Sequence, residues 1–508
     1  MTLNRLVRTD AESVKRPVIP AGCPGAAGLL WRKTMRTQAK IIATIGPASN
    51  NRETLEKLIR AGVNMVRLNF SHGSYEQHGD VLKLIRSLSR SMNQPVGILL
   101  DLQGPKVRTG KLENGTPVEL KKNDIFKITA QQMVGTRDMV ATTYKNLPGD
   151  VEEGDKILID DGLIELKVLE SSAETVTCKV RVGGTLKENK GINLPGVQVS
   201  APSLTEKDKK DLRFGIQNEV DYVALSFVRQ AEDLQDIKRI ITRMGSDIPV
   251  VAKIEKPEAV DNIDAILEAT DAVMVARGDL GVEMQYEKVP TIQKMIIQKA
   301  IDANKPVITA TQMLESMHQN PIPTRAEASD VANAIMDGTD AVMLSGETAS
   351  GLYPVEAVKM MSKIAVQVEQ SQFLRTNIMH QKDHDNIVTQ AVAQSAVQML
   401  SEVGAKAIIA FSVSGSTSKY ISKHRPSRRV YAFTPHVKVY NRLSLVWGLA
   451  PTLISKIENT QKLMNAAERL LVGKGVLKTD DLVVIIIGLA LKSGSTNMIK
   501  IHQVGHDD

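Results

Sequence analysis

One phrase occurs twice in this chain. Thr270-Asp271-Ala272-Val273-Met274 returns as Thr339-Asp340-Ala341-Val342-Met343, 69 positions later. That interval holds two strand–helix units of about 35 residues, the spacing an α/β barrel repeats. Around the pair the same alternation continues. Apolar strand-like runs stand at Lys40–Ile45, Val63–Leu68, Val96–Leu100, Tyr222–Phe227, Val250–Glu255, Ala272–Ala276, Pro306–Thr309 and Ala341–Leu344. Eight such runs separated by helical stretches predict a closed (β/α)8 barrel of parallel strands. An open doubly wound sheet is the alternative, but the chain has no G-x-G-x-x-G fingerprint to support one.

The regular alternation is interrupted once. Residues 104–201 contain short alternating runs bounded by turn residues, as in Lys156-Ile157-Leu158-Ile159-Asp160-Asp161-Gly162. This reads as an inserted β-rich domain, and its closing stretch Asn189–Gly196 fits a hinged lid. A β-domain with a purely structural role is the plainer alternative. The expected division is therefore 36–103 and 202–372 for the two parts of the barrel, 104–201 for the insert, and 384–508 for a C-terminal α/β domain. Residues 1–35 lack sustained periodicity and carry Pro17, Pro20 and Pro24. They are expected to be a disordered or non-native extension, with a transit segment as the alternative.

Charge excludes little but narrows the partners. Of the formal net charge of +7, +4 lies in residues 1–34, so the remainder is nearly neutral. With only 3% aromatic residues, neither a basic stripe nor a stacking platform for nucleic acid is expected. The chain has two cysteines, Cys23 and Cys178, too few for a disulfide framework. No apolar run reaches membrane-spanning length, and the chain reads as cytoplasmic.

The chemistry-bearing residues fall just after predicted strands: Arg67–His72, Asp101–Arg108, Lys253 with Glu255, Arg277–Asp279, Thr309–Gln312 and Ser345–Thr348. Barrel active sites lie at the C-terminal ends of the strands, so six polar clusters at one rim point to function. Lys253 and Glu255 share a strand face through the period-two alternation. Glu255 and Asp279, one strand–helix unit apart, offer oxygen to a hard divalent cation, and Lys253 could meet an accompanying phosphate. Taken alone, the Lys253/Glu255 pair is equally consistent with a surface salt bridge. The cluster Arg67, Asn69, Ser71, His72 suits a phosphate and a cation, or simply a polar loop in which Ser71 or Ser74 caps the next helix. In the C-terminal domain Ser412-Val413-Ser414-Gly415-Ser416-Thr417 opens a helix, either as an anion nest or as an ordinary serine-capped turn.

Several phrases taken together resemble pyruvate kinases: Ala43–Pro47, Arg67–Gly73, Lys253–Glu255, Met274–Gly281, Ala310–Ser316, Pro323–Glu327, Asp330–Ala334 and Met343–Ala349. The resemblance implies a barrel, a lid and a C-terminal domain, and transfer of a phosphoryl group from phosphoenolpyruvate to ADP. It implies Mg²⁺ (or Mn²⁺) on Glu255 and Asp279, Lys253 and Arg67 on the phosphoryl group, and the substrate carboxylate at Ala276, Arg277, Gly278 and Asp279. It further implies Thr311 beside the carbon that is protonated, supported by Glu347. On the nucleotide side it implies Pro47, Asn69, His72, Arg108 and Lys190. Asn69, Ser71 and Asp101 match ligands of a monovalent cation, but Lys106 stands where K⁺-dependent members carry an acid, which predicts little or no need for K⁺. The resemblance also implies a homotetramer and a sugar-phosphate or nucleotide effector at Ser412, Ser414, Gly415, Ser416 and Thr417. Val413 replaces a lysine of fructose-bisphosphate-responsive members and leaves the effector open. A non-catalytic metabolite sensor and a different Mg²⁺-dependent barrel enzyme acting on enolpyruvate-type substrates are the competing readings.

Overall fold

A computed structural model of the chain describes residues 37–374, 387–457, 459–488 and 496–506. The expectation for residues 1–35 lies outside them.

Eight parallel strands close a barrel: β1 (Lys40–Thr44), β2 (Met65–Asn69), β3 (Gly97–Asp101), β4 (Tyr222–Leu225), β5 (Val250–Ile254), β6 (Ala272–Ala276), β7 (Val307–Ala310) and β8 (Ala341–Leu344). Closure is made by β8 against β1, with Lys40 opposite Ala341. The fold class expected from the strand count is the one observed. Strand limits shift by a residue or two. The second begins at Met65 rather than Val63, because Gly62 ends the preceding helix at φ 128° and Val63–Asn64 complete the turn. That conformation favours glycine.

Side-chain alternation splits each strand between two cores. Ile42, Met65, Leu99, Tyr222, Met274 and Ile308 fill the barrel interior, together with Leu445 from the C-terminal domain. Their neighbours Ile41, Val66, Ile98, Val250 and Val273 face the surrounding helices. Capping fixes where helices begin. Ser74, not Ser71, caps Tyr75–Ser91 through a reciprocal box with Gln77, and Thr324 does the same with Glu327 for Arg325–Met336.

Between β3 and β4 the chain leaves the barrel to build a six-stranded sheet and a two-stranded ribbon. These enclose a core of their own around Phe126, Ile157, Leu166, Val168 and Val180. Gly104 at the exit has φ +67°, and a Cβ there would lie 2.7 Å from the Phe227 ring. No other residue type fits that turn without displacing Phe227.

The C-terminal domain is a five-stranded sheet ordered Leu449–Leu453, Val430–Thr434, Ala407–Phe411, Leu482–Gly488, Thr496–Gln503, with the last strand antiparallel. It seals the N-terminal mouth of the barrel. Leu445 enters the interior, Trp447 joins the outer core, and Trp447 N–H donates to Asp340 Oδ1 at 3.1 Å. Arg425, 3% exposed, pairs with the same carboxylate at 3.0 Å. With that mouth sealed, the C-terminal rim is left as the open one.

Candidate active site

At the C-terminal rim the side chains of β2, β3 and β5 converge. Lys253 Nζ donates to Ser226 Oγ at 2.7 Å, lies 2.8 Å from Glu255 Oε1 and 3.4 Å from Asp101 Oδ1. Arg67 Nε donates to Asp101 Oδ2 at 2.7 Å and its Nη1 to Thr44 Oγ1 at 3.1 Å. Asp101 is 1% exposed and Lys253 11%, so these charges interact across little water.

The electrostatics follow from burial and neighbours. Burial alone would raise the Asp101 carboxyl, but Lys253 and Arg67 outweigh it and hold the group below the usual carboxylate range. Burial would lower the Lys253 ammonium, yet Asp101, Glu255 and Asp279 together hold it above the ordinary lysine value. Glu255 is raised, first by burial and then by the Asp279 carboxylate, against the pull of Lys253. A carboxylate pair that repels in a poorly solvated place is stabilised by a cation between them. Asp279 is exposed to the cleft, and among the described residues it makes no hydrogen bond or ion pair. Asp101 Oδ1, which is buried, makes no hydrogen bond and faces the Lys253 ammonium at 3.4 Å. The oxygen set therefore fits a hard divalent cation.

A second cluster is built on strained backbone. Thr311 and Gln312, directly after β7, have φ +68° and +52°, a conformation that is costly for a β-branched residue. The surroundings hold it in place. Thr311 Oγ1 donates to Ala310 C=O at 2.6 Å and accepts Gly278 N–H at 2.7 Å. The Arg277 guanidinium donates to Thr311 C=O at 2.7 Å and to Asp330 at 2.6 Å. Arg277 thus braces the Thr311 loop with its side chain, while Gly278 and Asp279 open the short helix Arg277–Glu283. Glu347, fully buried, accepts Leu314 N–H at 3.0 Å and Ser345 N–H at 2.7 Å. Burial raises its carboxyl. It ties the end of β8 to the Thr311 loop and is a positioning group, acting through Leu314 and Ser345.

On the lid side a cleft of about 450 Å³ is lined by Lys106, Arg108, Asp160, Lys190, Asp279 and Glu283, among others. Lys190 Nζ pairs with Asp160 at 2.8 Å, and Arg108 Nη1 donates to Asn189 C=O at 3.0 Å. His72 is held below its usual pKa by burial and then by Lys106, Arg108 and Arg67. Such crowding of cations marks a place for a polyanion. Lys106 keeps access to solvent, yet desolvation by the cleft wall, Lys253 and Arg108 lower its ammonium, with Asp279 and Asp101 opposing. Asn69 Oδ1 accepts Ser71 N–H at 3.1 Å, and Pro47 lies in the turn after β1. The serine loop is elsewhere, in the C-terminal domain. There Ser412 Oγ accepts Gly415 N–H at 2.9 Å, Ser416 N–H reaches Ser414 Oγ at 3.5 Å, and Gly415 at φ +84° caps Ser416–Lys423. The strand Leu482–Ile487 and the loop Gly488–Thr496 are expected to complete that pocket, and residues 489–495 of the loop lie outside the described residues.

Sequence reasoning missed Ser226, Thr44 and the Phe227 N–H, which donates to Glu255 Oε2 at 2.8 Å from a backbone with φ +56°. The available signal was a serine closing an otherwise apolar strand at Tyr222–Leu225.

A sealed barrel with an acid-and-lysine rim, a cationic cleft and an inserted β-domain has the build of a (β/α)8 enzyme acting on an anionic substrate. The family models for "Pyruvate kinase, barrel domain" and "Pyruvate kinase, alpha/beta domain" match residues 36–358 and 390–502. Pyruvate kinases of Staphylococcus aureus strains MRSA252 and NCTC 8325 / PS 47 are each 46% identical over 474 residues, covering 92% of this chain and 81% of theirs. A crystal structure of a pyruvate kinase from Cryptosporidium parvum superposes with a TM-score of 0.85 at 37% identity, covering 94% of this chain and 97% of that one. The chain belongs to the pyruvate kinase family. It is an enzyme whose substrates are phosphoenolpyruvate and ADP and whose products are pyruvate and ATP. Membership implies a divalent metal and, for the family in general, a dependence on K⁺. Among the described residues no helix is long and apolar enough to cross a membrane.

Proposed function

We propose that phosphoryl transfer takes place at the β2–β3–β5 rim with Lys253 as the cation facing the transferring group. The observation that carries this reading is the setting of Lys253, an ammonium anchored by Ser226 and Glu255 and kept charged by three carboxylates. A fixed charge of this kind needs no reorganisation as negative charge develops on the phosphoryl and enolate oxygens. Arg67 is held by Asp101 and Thr44 through Nε and Nη1, which leaves Nη2 for a phosphate oxygen. Glu255 and Asp279 would hold Mg²⁺ or Mn²⁺, which when bound supplies Lewis-acid neutralisation of those oxygens.

The substrate carboxylate is received by backbone N–H groups after Ala276, at Gly278 and Asp279, with Gly278 N–H giving up or sharing its 2.7 Å hydrogen bond to Thr311 Oγ1 as the carboxylate arrives. That places the Thr311 hydroxyl beside the three-carbon unit, where it orients water to protonate the enolate carbon. Arg277 and Glu347 keep the loop in its strained form. Asn69, His72, Arg108 and Lys190, with Pro47, accept the diphosphate side.

Lys106 supplies the charge a monovalent ion supplies elsewhere. Its ammonium lies within electrostatic reach of Asp101 and Asp279, and the chain keeps Asn69, Ser71 and Asp101, the side chains that match the monovalent site. The enzyme therefore works with little or no K⁺. A phosphorylated effector, a sugar phosphate or nucleotide, is received by Ser412, Ser414, Gly415, Ser416 and Thr417. The chain works as a cytoplasmic homotetramer.

The test is pyruvate and ATP formation from phosphoenolpyruvate, ADP and Mg²⁺ by the wild type and by Lys253→Met. The variant is expected to lose at least about 10²-fold in kcat. A folded Lys253→Met enzyme with wild-type kcat would overturn the assignment.

A further inference from the structure

The lid reaches the barrel through two chain crossings that run together as a ribbon. Thr109 N–H donates to Lys190 C=O at 2.8 Å, Ile192 N–H to Val107 C=O at 2.9 Å, and Lys190 N–H to Thr109 Oγ1 at 2.9 Å. Arg108 and Gly191 face each other across it. Two of the cleft cations, Arg108 and Lys190, therefore ride on one small hydrogen-bonded piece. The residue that follows it is Asn193, and its Nδ2 donates to Glu283 Oε1 at 2.9 Å.

Glu283 belongs to the barrel, at the last position of the short helix Arg277–Glu283. The same Oε1 accepts Lys256 Nζ at 2.6 Å, with the two side chains 2% and 10% exposed. Lys256 directly follows Glu255. Glu283 Oε2 is buried without a hydrogen-bond partner, so this carboxylate has acceptor capacity to spare at the lid–barrel boundary. A buried ion pair with unused capacity holds a neutral amide donor firmly, because a hydrogen bond to a charged acceptor is the stronger kind. A Cβ on Gly162, at the lid turn carrying Asp160, would lie 4.0 Å from the hydroxyl of Tyr286, just beyond the same helix. The exit segment is held separately, by Arg229 at the Val199 and Ala201 carbonyls.

We propose that Lys256–Glu283 is the barrel half of a lid latch whose lid half is Asn193, and that the latch positions Arg108 and Lys190 over the cleft. These are positioning residues. The helix whose first turn carries Gly278 and Asp279 has the latch at its last residue, so occupation of the substrate end and docking of the lid act on one rigid element. The claim rests on the reading that Arg108 and Lys190 serve the nucleotide.

Asn193→Ala removes the lid donor and leaves Lys256 and Glu283 paired. Its expected effects are lid linkers cut about tenfold faster by protease in ligand-free enzyme, and a KM for ADP raised about tenfold with a smaller change for phosphoenolpyruvate. Asn193→Asp sets a carboxylate against Glu283 and is expected to do more. Adding Glu283→Gln to Asn193→Asp exchanges amide and carboxylate and should restore most of both readouts, which a merely structural role would not produce. Wild-type cleavage or wild-type KM for ADP in Asn193→Ala, or no rescue in the exchanged pair, overturns the latch. Arg108→Met and Lys190→Met separate the two claims. If they raise the KM for ADP while Asn193→Ala does not, the latch alone fails. If they leave it unmoved, the nucleotide reading fails as well.

Discussion

Lys253 shows how one residue sets the pH behaviour of its surroundings. It neutralises Asp101 and Glu255, of which Glu255 is already raised by burial. Removing the ammonium in Lys253→Met leaves buried charge unpaired and is expected to cost about 3–5 kcal/mol at pH 8. A carboxyl whose folded pKa lies above its unfolded value favours the protonated folded state. The variant should therefore regain stability as pH falls from 8 toward the unfolded glutamate value, about 4.3. Denaturant melts across that range check the sign, and a deficit that does not shrink would contradict it. Lys106 carries the complementary prediction. Desolvation by the cleft wall, Lys253 and Arg108 lower its ammonium although the side chain reaches solvent, so it loses its proton at a lower pH than an isolated lysine. K⁺ activation should then be small at neutral pH and emerge as pH rises, and rates with and without K⁺ across the alkaline range will show whether it does. Much of this site was legible because strand periodicity puts Lys253 and Glu255 on one face and loads the strand ends with polar residues. Ser226 was not, since a lone serine closing Tyr222–Leu225 has no pattern of its own. Nor was the role of the Arg277 side chain, because its partner Asp330 lies 53 residues away.

At the scale of elements, the rim depends on loops held in shapes they would not adopt alone. Thr311 at φ +68° is kept there by Arg277, by Gly278 N–H and by the Glu347 anchor one turn along. Glu347→Ala strips Leu314 and Ser345 N–H groups of their acceptor in a buried place, and each lost partner costs about 1–3 kcal/mol. The expected result is lower stability together with a fall in kcat larger than any change in KM for ADP, since the damage is on the carboxylate and proton side. A rise confined to the KM for ADP would contradict this assignment. The strands and helices were legible from apolar runs and capping residues such as Ser74 and Thr324. The strained turns were not, because positive φ at threonine, glutamine and phenylalanine is imposed by tertiary contacts against local preference.

For the whole molecule, the decisive arrangement is the sealed N-terminal mouth. Leu445 sits in the barrel interior, Trp447 in the outer core, and Arg425 pairs with Asp340 at 3% and 6% exposure. The C-terminal sheet packs cores of its own around Ile408 and Val484 on one face and Ile409 and Phe433 on the other. Leu445 and Trp447 nevertheless carry that domain into the barrel's cores, whereas among the described residues the inserted domain's buried apolar side chains stay within their own core. Hydrogen exchange is therefore expected to show barrel and C-terminal domain opening as one cooperative unit and the lid opening at lower free energy. Asp340→Asn should weaken the first unit and leave the second unmoved. The helix Ser416–Lys423, whose first turn carries the serine loop, ends on this seal, where Lys423 Nζ donates to Asp302 C=O at 2.8 Å. The repeat at Thr270 and Thr339 announced the barrel. Nothing in a linear pattern announces which face a second domain will cover, since that contact joins residues such as Arg425 and Asp340, 85 positions apart.

The central claim is that this rim transfers a phosphoryl group with Lys106 in place of a monovalent cation. The most direct measurement is the initial rate of pyruvate formation from phosphoenolpyruvate, ADP and Mg²⁺ at neutral pH, in K⁺ and in K⁺-free buffer, for wild type and Lys106→Glu. Equal wild-type rates, with a variant that is slow without K⁺ and recovers on its addition, are the result predicted. A wild-type enzyme that is active only with K⁺ would contradict it.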